Sequence, residues 1–451
     1  MQLFSQHPDN PNYAGPASRA GTEEHMDIPQ HITGLRCTIC GTLHRPDSGL
    51  LVCPDHGNEG ILDVEYDYQR IAKTFSKEQL AESRDFSQWR YRPLLPISPT
   101  TPAPPLSVGW TPLVAAPALA KKTGTGSLYI KDDSRQPTGS LKDRASALAV
   151  MKAKEAGARV ITTASTGNAA AALAGMCASV QMECVIFVPE SAPEGKIAQL
   201  MAYGANIFLV QGTYDEAFEL CLEASSAYGW YNRNTGYNPY MAEGKKTSAF
   251  EICEQLGWQV PDTVLVSVGD GCIISGLHKG FKDLLELGWI EKFPRLMGVQ
   301  SAGSDYMWQA AEQGADVLTF PAISAHTVAD SISAGLPRDR IKAARAVAET
   351  GGKWLRVEDE KILAAIPTLA STTGIFAEPA AAASLAGLEQ AQQSGLVSAD
   401  EKVVLLVTGN GLKDPGATIR ACSVAGSSAC RIAPNIDEVG KNLAAGLKHD
   451  C

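Results

Sequence analysis

The sequence lacks an excess of basic residues and a long apolar run, and we expect no secretory signal at its start. Its 451 residues include 39 lysines and arginines against 49 aspartates and glutamates, a formal net charge of -10, which disfavours broad binding to the phosphate backbone of DNA or RNA. No apolar run reaches the roughly 18 to 20 residues of a membrane span. The first nine residues have neither the basic nor the apolar segment of a secretory signal. We expect a cytoplasmic protein without nucleic-acid or membrane partners.

The sequence also lacks the dense cysteines of a disulfide framework. Eleven cysteines are scattered along the chain, and four of them, Cys177, Cys184, Cys221 and Cys253, lie in apolar segments. Such positions favour reduced core thiols, and therefore a reducing compartment. With 45% hydrophobic and 20% charged residues, the composition is that of a globular protein, and the length predicts two or three domains.

From residue 128 onward, short β-branched runs alternate with longer helical ones. This alternation is typical of βαβ units on a parallel sheet, and it predicts an α/β protein. The predicted strands are Leu128–Lys131, Val160–Thr163, Cys184–Val188, Ile207–Val210, Val264–Val268, Leu296–Gln300 and Val403–Val407. Because doubly wound sheets bind ligands at the carboxyl ends of their strands, we expect the chemistry in the loops that follow these runs.

Two cysteine knuckles near the start of the chain predict a zinc site. Cys37 and Cys40 precede one glycine, and Cys53 and His56 precede another. This set of four ligands suits tetrahedral zinc, and glycine permits the positive φ that such turns need. The alternative is a ribbon that has lost its metal, and His44 is a rival ligand that belongs to neither knuckle. Because the surroundings are acidic, a structural zinc is favoured over nucleic-acid binding.

The segment Pro137–Arg144 predicts a reactive lysine at a helix start. Turn residues precede Ser140, which we expect to be the N-cap. A run of residues with high helix propensity follows Arg144. Lys142 then lies in the first turn, where the helix dipole and burial favour the neutral amine. Neutral lysines form Schiff bases with carbonyl compounds, of which pyridoxal phosphate is the common protein case. The alternative is an ordinary solvated lysine.

Two further loops have the features of anion sites. Ser165, Thr166 and Gly167 precede an alanine-rich helix, whose first amides suit a substrate carboxylate. Gly269 to Ile273 joins a strand to a helix, and its small residues let successive amides point at a phosphate. Each loop alone also fits an ordinary turn, so the prediction depends on their occurring together.

Taken together, these segments resemble the threonine synthases and their relatives among the pyridoxal-phosphate enzymes of the tryptophan-synthase β fold. The resemblance runs from about residue 34 to about 415, and the usual lysine motif has Phe where this chain has Leu141. It implies two doubly wound parallel-sheet domains with an N-terminal zinc-ribbon-like extension. A Glu-Gly-x-Lys-Thr stretch at 243–247 and a Glu-Pro-Ala stretch at 378–380 also match the family.

The resemblance assigns roles to residues of the cofactor site. It implies that Lys142 carries pyridoxal phosphate and that Asn168 bonds the cofactor's phenolate oxygen. It implies that the Thr408 hydroxyl contacts the pyridine nitrogen of the cofactor. A neutral hydroxyl there suits elimination or replacement reactions better than transamination. The phosphate cup is Gly269, Asp270, Gly271, Cys272 and Ile273, against the family's usual Gly-Asn-Gly-Gly-Asn. We expect the Asp270 carboxylate to point away from a phosphate or to cap the next helix.

The substrate side departs from the family pattern. Threonine synthases act on O-phosphohomoserine, with an arginine at the phosphate in the position that Ser333 holds here, although Arg338 and Arg340 follow soon after. The leading prediction is a threonine synthase or threonine-synthase-like lyase acting as a homodimer on a small amino acid. The alternatives are a dehydratase or ammonia-lyase, a β-replacement enzyme such as a cysteate synthase, or a non-catalytic cofactor-binding protein.

These features divide the chain into five parts. They are a flexible arm (1–30), a zinc-ribbon-like segment (31–68), an extension ending in a proline-rich connector (69–105), the catalytic region (106–425) with a smaller subdomain inserted at about 150–245, and a C-terminal tail (426–451).

Overall fold

The computed structural model describes residues 29–46, 49–165, 167–190, 192, 194–426 and 429–444, of which 194–196 and 442–444 are described by their backbone alone. The arm expected at 1–30 lies outside the described residues except for its last two positions. Thr166 also lies outside them, as do residues 427, 428 and 445–451 of the expected tail.

A small antiparallel sheet begins the described chain. Its strands are β1 (Ile32–Cys37), β2 (Leu43–His44) and β3 (Leu62–Tyr66), in the order β2-β1-β3. In β3 apolar and acidic residues alternate, so that one face is buried and the other is partly exposed. Two short helices follow, α1 (Tyr68–Ala72) and α2 (Lys77–Glu82), and a capping box between Ser76 and Gln79 starts the second.

The larger of two further sheets has six strands. They are β4 (Leu113–Ala115), β5 (Ser127–Asp132), β10 (Thr263–Ser267), β11 (Arg295–Ser301), β12 (Trp354–Val357) and β13 (Lys402–Val407), in the order β12-β11-β10-β13-β5-β4. All neighbours are parallel except β4 and β5. Val404 and Leu406 pack into one hydrophobic cluster and Val403 and Leu405 into another. Both faces of the sheet are therefore covered, which explains the continuous apolar run in β13.

The smaller sheet is entirely parallel. Its strands are β6 (Val160–Ala164), β7 (Glu183–Pro189), β8 (Asn206–Val210) and β9 (Tyr231–Asn232), in the order β8-β7-β6-β9. It lies within the stretch expected to form an inserted subdomain. All seven predicted strands are present, and the two parallel sheets confirm the α/β prediction.

Helices connect the strands of the parallel sheets and follow the last of them. They are α3 (Pro117–Thr123), α4 (Lys142–Glu155), α5 (Asn168–Ser179), α6 (Glu194–Ala202), α7 (Tyr214–Tyr228), α8 (Tyr240–Lys245), α9 (Thr247–Gln255), α10 (Cys272–Glu286), α11 (Tyr306–Glu312), α12 (Arg340–Glu349), α13 (Asp359–Thr373), α14 (Pro379–Gln393), α15 (Pro415–Val424) and α16 (Ile436–Ala444). None of the described helices combines the length and the apolar character that a membrane crossing requires.

Two details differ from the sequence predictions. Ser140 is not the N-cap of α4: it forms a β-bridge with Gly409, and the helix begins after Leu141, which makes no side-chain cap. Pairing with the end of another strand draws Ser140 out of helical geometry. The four cysteines expected in the core are buried free thiols, but Cys430 is disulfide-bonded, so not every thiol is reduced.

Candidate active site

A cavity of about 190 Å³ opens where the loops after β6 and β10 meet the start of α4. Most of the residues proposed from the sequence line it, together with side chains from the small sheet and from the turn at 330–333. The proposed residues among the lining are Lys142, Ser165, Gly167, Asn168, Gly269, Asp270, Gly271, Cys272, Ile273 and Ser333.

The start of α4 is fixed by buried charges on its far side. The Asp143 carboxylate accepts from the Thr138 amide (2.7 Å) and hydroxyl (2.6 Å). Arg144, fully buried, donates to both oxygens of Asp133 (2.7 and 2.9 Å) and to both of Glu251. Bidentate pairs of this kind hold a side chain in one geometry. The two residues after Lys142 therefore anchor the helix, while Lys142 itself lines the cavity.

The environment of Lys142 lowers the pKa of its amine and so favours the neutral form. Burial, followed by repulsion from Lys245, lowers the pKa of its amine from 10.5 to about 8, although the Glu378 carboxylate partly opposes the shift. A lysine with this pKa has a substantial neutral fraction near physiological pH. The sequence predicts a lowered pKa for Lys142 from the helix dipole and from burial. The structure adds the nearby cation Lys245 as a further cause.

The loop from Gly269 to Cys272 is closely packed from behind. A Cβ on Gly269 would lie 2.7 Å from the Ile332 Cα, and Gly271 has φ +91°, so both positions require glycine. The cap at Gly271 receives no side-chain hydrogen bond. Of the two alternatives expected for Asp270, the helix cap is therefore wrong; its carboxyl group is half-buried, and desolvation raises its pKa.

Asn168 has two partners in the site. Its amide nitrogen donates to the Glu378 carboxylate at 2.7 Å and to the Ser331 hydroxyl at 3.2 Å. Neither partner was proposed as a site residue from the sequence. The sequence signal for Glu378 is the Glu-Pro-Ala stretch at 378–380.

Thr408 lies beside the cavity but is not among its lining residues. Its carbonyl accepts from the Leu141 amide at 2.9 Å, so the end of β13 is joined directly to the start of α4. The structure does not describe Thr166, the remaining member of the proposed carboxylate loop.

Two cations in the cavity were missed. Arg233 and Lys245 are each only 1% exposed, and both line the cavity. Lys245 occupies the variable position of the Glu-Gly-x-Lys-Thr stretch, which could have marked it. The lysine that the family pattern names in that stretch, Lys246, pairs instead with Glu243 and Asp283.

The two arginines considered as replacements at Ser333 point elsewhere. Arg338 pairs with Asp215 at 3.1 Å and packs over the Phe218 ring. Arg340 donates to the Val317 carbonyl and is paired with Glu59. Neither lines the cavity.

The four proposed metal ligands are close together in the N-terminal sheet region. The thiols of Cys37, Cys40 and Cys53 and a ring nitrogen of His56 all lie within 4.8 Å of one another. Both glycines of the knuckles have positive φ, as predicted. His44 is not part of this cluster.

The cavity fits an aldehyde that carries a phosphate. Lys142 supplies an amine of lowered pKa, and the glycine loop supplies backbone amides at the start of α10. The buried cations Arg233 and Lys245 would attract a negatively charged ligand. Pyridoxal phosphate has both functional groups.

Comparison with known proteins agrees with this chemistry. The family model described as pyridoxal-phosphate dependent enzyme matches residues 105–409. The chain is 39% identical to a threonine synthase of Methanocaldococcus jannaschii over 388 residues, covering 86% of this chain and 94% of that protein. It is 38% identical to a threonine synthase of Methanosarcina acetivorans over 391 residues, with the same coverage.

Solved structures share the fold. A diaminopropionate ammonia lyase from Escherichia coli superposes with a TM-score of 0.61 at 18% identity, covering 78% of this chain and 93% of that one. A threonine deaminase from Solanum lycopersicum superposes with a TM-score of 0.60 at 24% identity, covering 70% and 83%. At these identities the likeness concerns the fold alone. The family match and the threonine synthase relatives show that the chain belongs to the pyridoxal-phosphate-dependent enzymes, as a threonine-synthase-like lyase.

Proposed function

We propose that the protein converts O-phosphohomoserine to threonine and phosphate. The observation that carries the proposal is the position of Lys142, an amine of lowered pKa, in one cavity with a glycine loop and two buried cations, Arg233 and Lys245. A dehydratase, an ammonia-lyase or a β-replacement enzyme is less favoured. Relatives named threonine synthase match most of the chain, whereas the structures named for ammonia loss are similar in fold alone.

The residues of the cavity divide the work of the reaction. When bound, pyridoxal phosphate supplies the electron sink for chemistry at the α-carbon of the amino acid. The neutral amine of Lys142 takes the α-proton. Ser165, Gly167 and the first amides of α5 bind the α-carboxylate, the role that the sequence analysis gave them together with Thr166. The loop from Gly269 to Ile273, with Lys245 beside it, holds the cofactor's phosphate.

Two roles from the sequence analysis remain proposals. Asn168 would bond the cofactor's phenolate oxygen, and its contact with Glu378 would then orient the amide. Thr408 would face the pyridine nitrogen from the end of β13. Ser333, at the cavity wall, would offer the substrate a neutral hydroxyl.

A substrate panel tests the reaction. The holoenzyme is given O-phosphohomoserine, threonine, serine, phosphoserine with sulfite, and diaminopropionate, and is assayed for phosphate, 2-oxo acid, ammonia and new amino acid. Phosphate and threonine released together, with little 2-oxo acid, are expected. Lys142→Ala is expected to fold, to lack the absorption band at about 400 nm of the lysine-bound cofactor, and to be inactive. Ammonia and 2-oxo acid from another amino acid, with phosphohomoserine inert, would refute the proposal.

We also propose that Cys37, Cys40, Cys53 and His56 bind one structural zinc. Three thiols and one imidazole are a common ligand set for structural zinc. Ligand atoms at about 2.3 Å from one ion lie roughly 3.8 Å apart in a tetrahedron. The observed spacing of up to 4.8 Å therefore needs only a small closing movement.

A homodimer in the cytoplasm completes the proposal. Exposed apolar side chains follow β13, with Leu412 73%, Ile419 67% and Val424 87% exposed, and a second copy of the chain would cover such a surface. The buried free thiols of the core support a reducing compartment, although the exposed Cys430 is disulfide-bonded. Sedimentation at assay concentration measures the mass, and a monomer would refute the dimer.

A further inference from the structure

Arg233 and Lys245 are buried cations without a carboxylate partner. Among the described residues, no carboxylate lies within ion-pair distance of either side chain, although Asp270 and Asp330 also line the cavity. The Arg233 Nη2 atom is buried and has no hydrogen-bond partner. Leaving a buried charge unpaired is costly, so the site is built to receive negative charge from a ligand.

Lys245 belongs with the glycine loop. A Cβ on Gly276 would lie 2.8 Å from the Lys245 Cβ, so the lysine packs against the first turns of α10. Burial raises the pKa of the thiol of Cys272, the first residue of that helix, and the Lys245 amine is close enough to oppose this shift by lowering the pKa of the thiol. A cation at this position faces the same anion as the helix amides do, and it offsets the Asp270 carboxylate of the loop.

Arg233 approaches from the other wall. Its amide donates to the Thr162 carbonyl of β6, so its backbone continues the small sheet. Its side chain donates to the Ser146 hydroxyl (3.3 Å) and to the Thr235 hydroxyl (3.2 Å). Ser146 lies one turn after Lys142 on the same face of α4. Burial and Lys245 lower the pKa of the Lys142 amine, and the guanidinium adds to this effect, so it lies close to that amine. It is also within electrostatic reach of Cys272 and Asp270 in the glycine loop.

Arg233 is the cavity cation that is not assigned to the cofactor, and it is therefore available for the phosphate of the substrate. Among the residues that the structure describes, the cations that line the cavity are Lys142, Lys245 and Arg233. Lys142 is the cofactor's lysine and Lys245 is at the glycine loop. Burial lowers the pKa of Arg233, but only to about 10, so the guanidinium stays charged at neutral pH.

We propose that Arg233 binds the phosphate of the substrate's leaving group and sets the preference for a phosphorylated amino acid, replacing the arginine that is absent at Ser333. The inference rests on the proposed function. Its two anchored donors fix the guanidinium, and the free Nη2 is left for a phosphate oxygen. An arginine suits a departing phosphate because its charge persists and its donors are coplanar.

The test compares Arg233→Gln and Arg233→Lys with a control arginine, Arg338→Gln, whose side chain lies outside the cavity. Arg233→Gln is expected to raise the KM for O-phosphohomoserine roughly ten- to a hundredfold, with Arg233→Lys in between. Affinity for threonine, which has no phosphate, should change little, and so should cofactor affinity in a titration of the apoenzyme. Arg338→Gln should match the parent in each measurement.

Calorimetric titration of inorganic phosphate into the holoenzyme gives a readout independent of turnover. The parent should bind phosphate and Arg233→Gln should not. An unchanged KM and unchanged phosphate binding would overturn the inference. So would weakened cofactor binding without loss of phosphate binding, because Arg233 would then serve the cofactor. If the parent is inert toward phosphohomoserine, the proposed function fails, while the phosphate titration still decides whether Arg233 holds an anion.

Discussion

Lys142 is the residue whose environment most directly predicts a pH dependence. In the folded apoenzyme its pKa is lowered from 10.5 to about 8, first by burial and then by Lys245. Only the neutral amine attacks an aldehyde. The rate of pyridoxal phosphate attachment to the apoenzyme should therefore rise with pH up to about 8 and then level off. Stopped-flow absorbance between about pH 6 and pH 10 measures this rate.

Two controls support the assignment of that titration. Lys142→Ala should show no such attachment at any pH. Lys245→Gln removes the neighbouring cation, so the Lys142 pKa and the midpoint of the rate profile should move upward. A rate that keeps rising to about pH 10, as for an unperturbed lysine, would contradict the lowered pKa.

At the residue scale, sequence reasoning found what was local. Lys142 and the glycines from 269 to 271 are marked by turn residues beside a helix start, and the structure brings them to one cavity. Arg233 and Lys245 line that cavity from separate elements, and Glu378 contacts Asn168 in its wall. The sequence marks Lys245 and Glu378 only as members of family stretches, and it marks Arg233 not at all. These residues are distant in the sequence and come together only in the folded structure, so no local sequence pattern predicts that they share a site.

At the element scale, the shortest strands could not be predicted. The seven predicted strands have five to seven residues in the structure; β1 and β3 are as long but are not among the predicted strands. The strands β4 and β9 have three and two residues, too few for a periodic signal. The predicted cap at Ser140 failed for another reason: its bridge to Gly409 is a contact between distant parts of the chain, and it overrides the local preference.

The crossing of α8 over α4 gives a prediction about packing. A Cβ on Gly244 would lie 2.4 Å from the Arg144 carbonyl oxygen and 2.7 Å from the Ala145 Cα. Backbone atoms cannot move aside cheaply, so Gly244→Ala should force the helices apart. We expect the free energy of unfolding to fall by about 1 to 3 kcal/mol. Urea denaturation followed by circular dichroism measures the change.

Gly440 is the matched control for this substitution. It also lies inside a helix, α16, but a Cβ there would meet no atom within 4 Å. Gly440→Ala should leave stability unchanged or raise it by at most about 1 kcal/mol, because alanine is the better helix former. Equal denaturation midpoints for Gly244→Ala and the parent would show that the crossing tolerates a methyl group.

At the scale of the whole molecule, the N-terminal sheet region is tied to the catalytic part by charge. Glu59 pairs with Arg340, and Asp63 with Arg345 at 3.1 Å and Lys342 at 3.4 Å. Glu59 follows the His56 knuckle by three residues. A metal that closes this knuckle should therefore stabilise the attachment as well as the ribbon.

Metal analysis tests that connection. The purified protein is expected to hold about one zinc per chain, and the double substitution Cys37→Ser with Cys40→Ser should remove the zinc and lower the melting temperature. Cys422→Ser changes a thiol outside the cluster, so it should leave both quantities as in the parent. Protein prepared without chelators and found free of zinc would rule out the metal site.

The bond from the Leu141 amide to the Thr408 carbonyl has a consequence for the order of folding. The strand that precedes the lysine loop, β5, pairs Ser127 with Lys402 of β13. The small sheet contains only residues 160–232, so its partners are all present early in synthesis. The segment before Lys142, by contrast, can take up its final position only after β13 (Lys402–Val407) has been synthesised. On the ribosome, the reactive amine is therefore positioned only after nearly the whole chain has emerged.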